Sequence, residues 1–273
     1  MTRLQPHDIT GLGERLRAYE ERLRKATGVG LAGIAAHSLG GTSTTAFANI
    51  LKETVVGVIP VSYGDGIIPG FSEAVKNILE FLGVAAFVTR QANLRGLGEA
   101  VERGASVLFL SDDDDFVAIN LTTRKVAGNS EATGRGYGAA LDLMAGGIQD
   151  REVLVIGAGP VGQSAARYLS SRGGRVVIHD RDADQARLLA DTIPGSSVAM
   201  DLAAALQRCA LIIEATPSPG VIAHKYITFG TLVAAPGVPL GIDAEGRKML
   251  GGRLIHDPLE IGVATMLYTA LAE

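Results

Sequence analysis

Apolar residues near the start of the chain repeat at helical spacing. Leu12, Leu16, Tyr19 and Leu23 share one face, with arginines and glutamates between them, which predicts an amphipathic helix. Glu21 and Lys25 add an i,i+4 charge pair to it, and Gly28 and Gly30 end it. Two more helical stretches follow, over about Leu31–Leu39 and Thr44–Glu53. The pattern then changes to short β-branched runs alternating with helical ones. Val55–Val61, Ala85–Thr89 and Ser106–Leu110 read as buried strands, with helices over Phe71–Leu82 and Leu94–Arg103 between them. Such alternation predicts a parallel sheet. A strand or hairpin over Phe116–Val126 and a helix over Glu131–Ala145 complete this half.

The second half is organised around Arg151–Asp180. Val153–Ile156 is the pattern of a strand buried on both faces, and it runs directly into Gly157-Ala158-Gly159-Pro160-Val161-Gly162. A helix to about Arg172 and a strand over Arg175–His179 follow, with Asp180 at the strand's carboxyl end. The spacing has a mechanical meaning. Gly157 permits the tight turn, Gly159 lets a pyrophosphate approach the backbone, and Gly162 lets helix and strand pack closely. The helix start, Pro160 and Val161 included, offers free N–H groups to phosphate. Asp180 is placed to accept from a ribose diol, which favours NAD over NADP, whereas Arg181 beside it is of the type that pairs with a 2′-phosphate. Further strands read over Leu211–Glu214, Leu232–Ala235 and Leu254–His256, and a closing helix over Leu259–Leu271.

The expected architecture is therefore α/β. An N-terminal α/β substrate domain, 1–130, precedes a Rossmann-type dinucleotide domain, 131–273, whose C-terminal helix packs back on the first domain. With 273 residues, 47% hydrophobic and 20% charged, the chain is long enough for two cored domains. A net charge of −4 and the absence of a basic block argue against nucleic acid or an anionic membrane as partner. The opening MTRLQPHDIT has no apolar signal core, so the expected location is cytoplasmic. The single Cys209 forms no internal disulfide, and neither it nor His7, His37, His179 and His224 has metal-ligand spacing, so no metal is expected.

In sheets of this kind the loops at the strand carboxyl ends carry the chemistry, and the cleft between the domains is the default site. Five loops follow such ends: Ser62–Gly70, Asp112–Asp115, Ala215–Pro217, Ala235–Pro239 and His256–Pro258. Asp112 directly follows an apolar strand; a carboxylate there suits a cationic amine and can take its proton. Ser62 and Tyr63 are candidate donors, Asp65 sits between two glycines in turn chemistry, and the helix start at Phe71–Ser72 suits a carboxylate. Ala215, Thr216 and Pro217 are candidates to meet the cofactor, with Pro236 and Gly237 beside the nicotinamide. Asp257 either caps the closing helix, with Pro258 in its first turn, or reaches the site.

Together these loops resemble the pyrrolysine synthase (PylD) family over nearly the whole chain. The resemblance rests on VIPVSYGDGIIPGFSEAV, LSDDDDFVAINL, VLVIGAGPVG, IIEATP, APGVP and DPLEIGVATMLY in that order. The glycine fingerprint is common to many families; the first, second and last blocks discriminate. The resemblance implies NAD-dependent oxidation of the terminal amine of 3-methyl-D-ornithyl-Nε-L-lysine, loss of ammonia, and cyclisation with dehydration to L-pyrrolysine. It implies Asp112 and Asp257 as catalytic and Leu4, Ser62, Tyr63, Phe71 and Asn120 as substrate-binding. Two positions depart from the archaeal pattern: Tyr63 replaces a small hydroxyl residue and Asp257 a glutamate.

Two other readings stand beside this one. Asn129–Gly138 leading into a helix and a glycine fingerprint is similar to shikimate and methylene-tetrahydrofolate dehydrogenases, but no lysine lies at a strand end beside a matching acid. A redox sensor holding NAD without turnover would commonly carry a basic DNA-binding helix, and none is present. The expected partner is a small-molecule substrate, and a homodimer stays open.

Overall fold

The computed structural model of the chain describes residues 4–41, 44–62 and 68–272. The chain begins with α1 (Pro6–Ile9), α2 (Leu12–Thr27), α3 (Leu31–Ser38) and α4 (Thr44–Glu53). Strand β1 (Val55–Ile59), α5 (Phe71–Phe81), β2 (Ala85–Val88), α6 (Asn93–Glu102) and β3 (Val107–Ser111) follow. Strands β4 (Phe116–Asn120) and β5 (Val126–Gly128) form a hairpin, and α7 (Asn129–Met144) leads out of it. Next come β6 (Glu152–Ile156), α8 (Pro160–Ser171), β7 (Arg175–His179), α9 (Ala183–Asp191) and β8 (Ser197–Val198). The chain ends with α10 (Leu202–Arg208), β9 (Leu211–Glu214), β10 (Leu232–Ala234), α11 (Ala244–Leu250), β11 (Leu254–Ile255) and α12 (Glu260–Leu271). Among the described residues, no helix is long and apolar enough to cross a membrane.

The chain divides into two compact units. One comprises 1–20, 31–132 and 258–273; the other comprises 21–30 and 133–257. The first holds a five-stranded sheet of order β2-β1-β3-β4-β5. Its β2, β1 and β3 are parallel, but β3 pairs antiparallel with β4, and β4 with β5. The alternating strands pair in parallel as expected, and the Phe116–Val126 segment is the hairpin that turns the sheet into a mixed one. The cause is the length of the Asp112–Asp115 link. A parallel return needs a crossover of a dozen residues or more, so a four-residue link forces the next strand to double back.

Helix α12 lies in the first unit and is apolar on almost every side, with Ile261, Val263, Ala264, Met266, Leu267 and Ala270 all fully buried. It packs on α3, α5 and β4 of that unit, as the sequence pattern predicts. Tyr268 meets Phe47 of α4 at a ring separation of 4.5 Å. Buried Asn120 ties the hairpin to this helix: its Nδ2 donates to the Ala270 carbonyl at 2.9 Å. Its Oδ1 accepts from Thr122 N and Thr123 N, closing the β4–β5 turn.

The second unit holds a six-stranded, all-parallel sheet of order β11-β10-β9-β6-β7-β8. The order reverses at β6, so the carboxyl ends of β6, β7 and β9 lie side by side at a topological switch point. Helices α9 and α10 begin at Asp182 and Asp201, each accepting from two backbone N–H groups of its helix's first turn. Helices α7 and α8 pack closely here: a Cβ at Gly134 would lie 2.2 Å from the Val161 carbonyl oxygen, and one at Gly138 2.7 Å from the Tyr168 ring.

Substituting Asn120 by Leu strands the buried Ala270 carbonyl and two turn N–H groups. Unsatisfied buried groups of this kind cost about 1–3 kcal/mol, so the urea midpoint of Asn120→Leu is expected to fall with little change in slope. A midpoint equal to that of the parent would contradict the role given to this side chain.

Candidate functional site

The dinucleotide turn of the second unit fits its predicted geometry. Gly157 sits at φ +101°, and a Cβ there would come 2.7 Å from the Ala215 carbonyl oxygen. At Gly162 a Cβ would be 1.9 Å from the Gly157 carbonyl oxygen, so no side chain fits between turn and helix. Gly159 faces open space, with no atom within 4 Å of where its Cβ would be. It precedes the first turn of α8, where Pro160 takes N1 without forfeiting a helical hydrogen bond. Closed behind and open in front, this cradle has the form that admits a pyrophosphate at a helix N-terminus.

Asp180 does more than await a ribose. Its Oδ2 accepts from Ala158 N at 2.7 Å, and its Oδ1 from Asp182 N at 2.9 Å. The carboxylate therefore joins the end of β7 to the glycine turn. A carboxylate offers about four lone-pair sites, which leaves about two for a diol. Arg181 beside it is exposed. His179 fixes the same edge through Nδ1, 2.8 Å from the Ala199 carbonyl.

Beside this turn lies a feature that the sequence reading passed over. Glu214, the last residue of β9, is fully buried. Its Oε1 accepts from both the backbone N–H (2.8 Å) and the hydroxyl of Thr216, and its Oε2 from Gly241 N at 3.1 Å. Gly237 N donates to the Glu214 carbonyl at 3.1 Å. Gly237 and Gly241 both press on the carboxylate, since a Cβ at either would come within 2.6 Å of it. One buried side chain thus sets the 215–217 loop and the loop after β10, where Ala215, Thr216, Pro217, Pro236 and Gly237 sit. The Thr216 hydroxyl, expected to face a cofactor, is engaged with Glu214. A buried carboxylate bounded by two glycines was the available signal, but it depends on contacts between residues far apart in the chain.

In the first unit, parallel pairing places Ile59 of β1 opposite Leu110 of β3. Ser62 and Asp112 therefore follow adjacent strand ends on the same sheet edge. Phe71 opens α5 and meets Phe116 edge-on at 5.1 Å, bringing the start of that helix to the Asp112 hairpin. Tyr63 and Asp65 lie outside the described residues. Leu4 is buried.

Asp112 Oδ1 accepts from Asp114 N and Asp115 N at 2.9 and 2.8 Å, and the Asp112 N–H donates to the Asp115 carbonyl. The Asp115 and Asp114 amides hold its carboxyl below the ordinary carboxylate range. A carboxylate held below the ordinary range is well suited to anchor a cation. Asn120 does not join this group. Its strand runs backwards, so Asn120 pairs with Val107 at the opposite edge of the sheet from Asp112, and its amide is spent on α12 and the turn. Helix α12 begins at Glu260 behind Leu259, so Asp257 stands two residues before its N-cap position. Asp257 is buried, its backbone N–H donating to the Tyr137 hydroxyl and its carbonyl accepting from it.

Burial raises Glu214 above its ordinary value of 4.5, against the donors from Thr216 and Gly241. A group raised on folding contributes stability that is full below its unfolded value and is lost as pH climbs through the folded one. The Glu214 contribution is therefore expected to decline upward from about pH 4.5, and the difference between the two profiles is expected to shrink over that range when Glu214→Gln is compared with wild type. In that variant an amide NH2 also faces a backbone donor, which costs about 1–3 kcal/mol. Unfolding titrations from pH 4 to 8 on both proteins check this, and superimposable profiles would refute it.

Comparison with known proteins adds the following. Residues 8–127 match the family model described as pyrrolysine biosynthesis protein PylD, N-terminal domain, and residues 140–230 that of shikimate / quinate 5-dehydrogenase. The chain is 33% identical over 271 residues to pyrrolysine synthase of Methanosarcina acetivorans, covering 99% of this chain and 100% of the relative. It is 33% identical over 273 residues to pyrrolysine synthase of Methanosarcina barkeri, covering 99% and 98%. In fold it is similar to quinate dehydrogenase from Corynebacterium glutamicum in complex with NAD, with a TM-score of 0.53 at 17% identity over 80% of this chain and 93% of that one. Shikimate dehydrogenase from Aquifex aeolicus gives 0.52 at 17% identity, over 80% and 89%.

Proposed function

The chain belongs to the pyrrolysine synthase family, and we propose that this oxidoreductase uses NAD to oxidise 3-methyl-D-ornithyl-Nε-L-lysine and close it to L-pyrrolysine. The observation that carries the reading is an ionised carboxylate, Asp112, on the same sheet edge as Ser62, in a chain that also has a complete dinucleotide turn.

The turn fits a dinucleotide by its open face at Gly159, its helix N-terminus and the lone pairs left on Asp180. Gly157, Gly159, Pro160, Val161 and Gly162 would hold the pyrophosphate, Asp180 the adenosine ribose, and Ala215, Thr216, Pro217, Pro236 and Gly237 the nicotinamide half. When bound, NAD would supply the hydride acceptor for the carbon bearing the substrate's terminal amine. NAD is favoured over NADP because the Asp180 carboxylate would repel a 2′-phosphate.

The chain's own residues bind and orient. Asp112 anchors the terminal ammonium through Oδ2, which carries no hydrogen bond among the described residues. Hydride leaves only the neutral amine, and exposed Asp112 lets the surplus proton pass to water. The resulting imine takes up water and releases ammonia, giving an aldehyde. The α-amine of the ornithine part then attacks the aldehyde and loses water, forming the C=N bond of the ring. This last step needs proximity and no protein nucleophile. Leu4 and Phe71 supply apolar contact to the substrate and Ser62 a hydrogen bond. Asp257 is the second carboxylate proposed as catalytic.

Incubation of the protein with this substrate and NAD is expected to produce NADH together with the mass of the cyclised product. Asp112→Asn keeps the turn, because the amide oxygen still accepts from Asp114 and Asp115, and removes only the charge. It is expected to bind NAD normally and lose most of its turnover, because the reacting amine is no longer held in place. Full turnover in that variant would remove Asp112 from the reaction. NAD is expected to outperform NADP in kcat/KM, and Asp180→Ala to narrow that margin; an unchanged ratio would count against the ribose assignment.

A further inference from the structure

We propose that Asn93 is a positioning residue that turns Ser62 into a committed hydrogen-bond donor, so that the substrate group meeting Ser62 is an oxygen acceptor. The inference rests on the reading of Ser62 as a substrate residue and deepens it. Asn93 is the first residue of α6 and lies in the left-handed region at φ +59°. Its N–H donates to the Pro60 carbonyl at 2.9 Å, which brings it beside the chain leaving β1. From there its side chain grips Ser62 at two points. Ser62 N donates to Asn93 Oδ1 at 3.0 Å, and Asn93 Nδ2 donates to Ser62 Oγ at 2.7 Å.

These two bonds determine the direction of a third. A backbone N–H can only donate, so the amide atom facing it must be the oxygen, which fixes the orientation of the Asn93 amide. The Nδ2 that faces Ser62 Oγ can also only donate, so Oγ must accept from it. The Ser62 hydroxyl hydrogen is then directed away from Asn93. Ser62 itself is exposed, and among the described residues that hydrogen meets no acceptor. In a substrate built from two amino acids joined by an amide, the matching acceptors are the amide carbonyl and the carboxylate oxygens. The left-handed backbone is what lets the side chain reach back across the loop, and asparagine tolerates that region better than other residues with a Cβ.

The loop carrying Asn93 is held by other groups. Glu99 accepts from Arg90 N and Gln91 N, and the Thr89 hydroxyl donates to the Gln91 carbonyl. A Cβ at Gly96 would lie 2.3 Å from that same carbonyl oxygen. Removing the Asn93 side chain therefore takes away the grip on Ser62 and leaves the loop, and glycine suits the left-handed backbone.

The test is a set of four variants, Asn93→Gly, Asn93→Asp, Ser62→Ala and Asn93→Gly/Ser62→Ala, assayed with NAD and 3-methyl-D-ornithyl-Nε-L-lysine. Asn93→Gly is expected to raise KM about three- to tenfold, the worth of one oriented hydrogen bond, with kcat and the thermal midpoint little changed. In the Ser62→Ala background the same substitution is expected to add nothing, because the two residues act through one bond. Asn93→Asp is the sharper variant. It keeps the shape but presents an acceptor to Ser62 Oγ, reverses the hydroxyl, and is expected to be no better than glycine in KM. An aspartate with wild-type KM would overturn the proposal, as would an undiminished Asn93→Gly effect without the Ser62 hydroxyl. So would unchanged KM in Asn93→Gly where Ser62→Ala raises it, a result that leaves Ser62 in the site. Unchanged KM in Ser62→Ala would remove both this inference and Ser62's place in the proposed site.

Discussion

A carbonyl oxygen and a helix backbone share a space that no side chain can enter. The gap between Gly157 and Gly162 is too small for one methyl group, and this lets α8 start directly over the end of β6. Because α8 starts there, its N-terminus faces the same edge as the ends of β7 and β9. Asp180 and Glu214 then reinforce the arrangement from either side, one by accepting from the turn and the other by holding the neighbouring loop. Each carboxylate is satisfied mainly by backbone N–H groups. Such bonds order loops while leaving outward-facing atoms for a ligand.

The first unit solves the same problem with smaller means. Its sheet edge is shaped by side chains that bond to nearby backbone, namely Asp112 within its hairpin and Asn93 against the chain leaving β1. In both cases a polar group that sequence reading offers to a ligand is partly spent on its own loop. That expenditure fixes its charge or its donor direction, which makes the remaining atoms more selective. Asp112 kept ionised favours a cation, and Ser62 kept as a donor favours an oxygen.

How much of this was legible follows the range of the interactions involved. Gly157, Gly159, Gly162 and Asp180 could be read because turn, helix and strand follow one another within thirty residues. Asp112 could be placed at a strand end from the apolar run before it. Its weakened basicity could not be read, because it comes from the amides of a tight turn whose existence depends on β4 doubling back. The same reversal misled the reading of Asn120, which shares a sequence block with Asp112 but sits at the other sheet edge. Asp257 was legible only as either a cap or a site residue, because its burial and its bond to Tyr137 come from a helix more than a hundred residues earlier. Glu214 was invisible because its burial is made by glycines that follow the next strand.

The position of α12 in the chain has a consequence for synthesis on the ribosome. Apart from 21–30, the second unit is one uninterrupted segment, 133–257, and has every strand of its sheet once that segment has emerged. The first unit, although most of it is made earlier, lacks the helix that fills its centre until residues 260–271 are translated. The nascent chain must therefore carry an incompletely filled apolar core, roofed by nothing, through the whole synthesis of its neighbour. Order of manufacture and order of completion are thus inverted, and a ribosome that stalls late in the message leaves a finished second unit attached to an open first one.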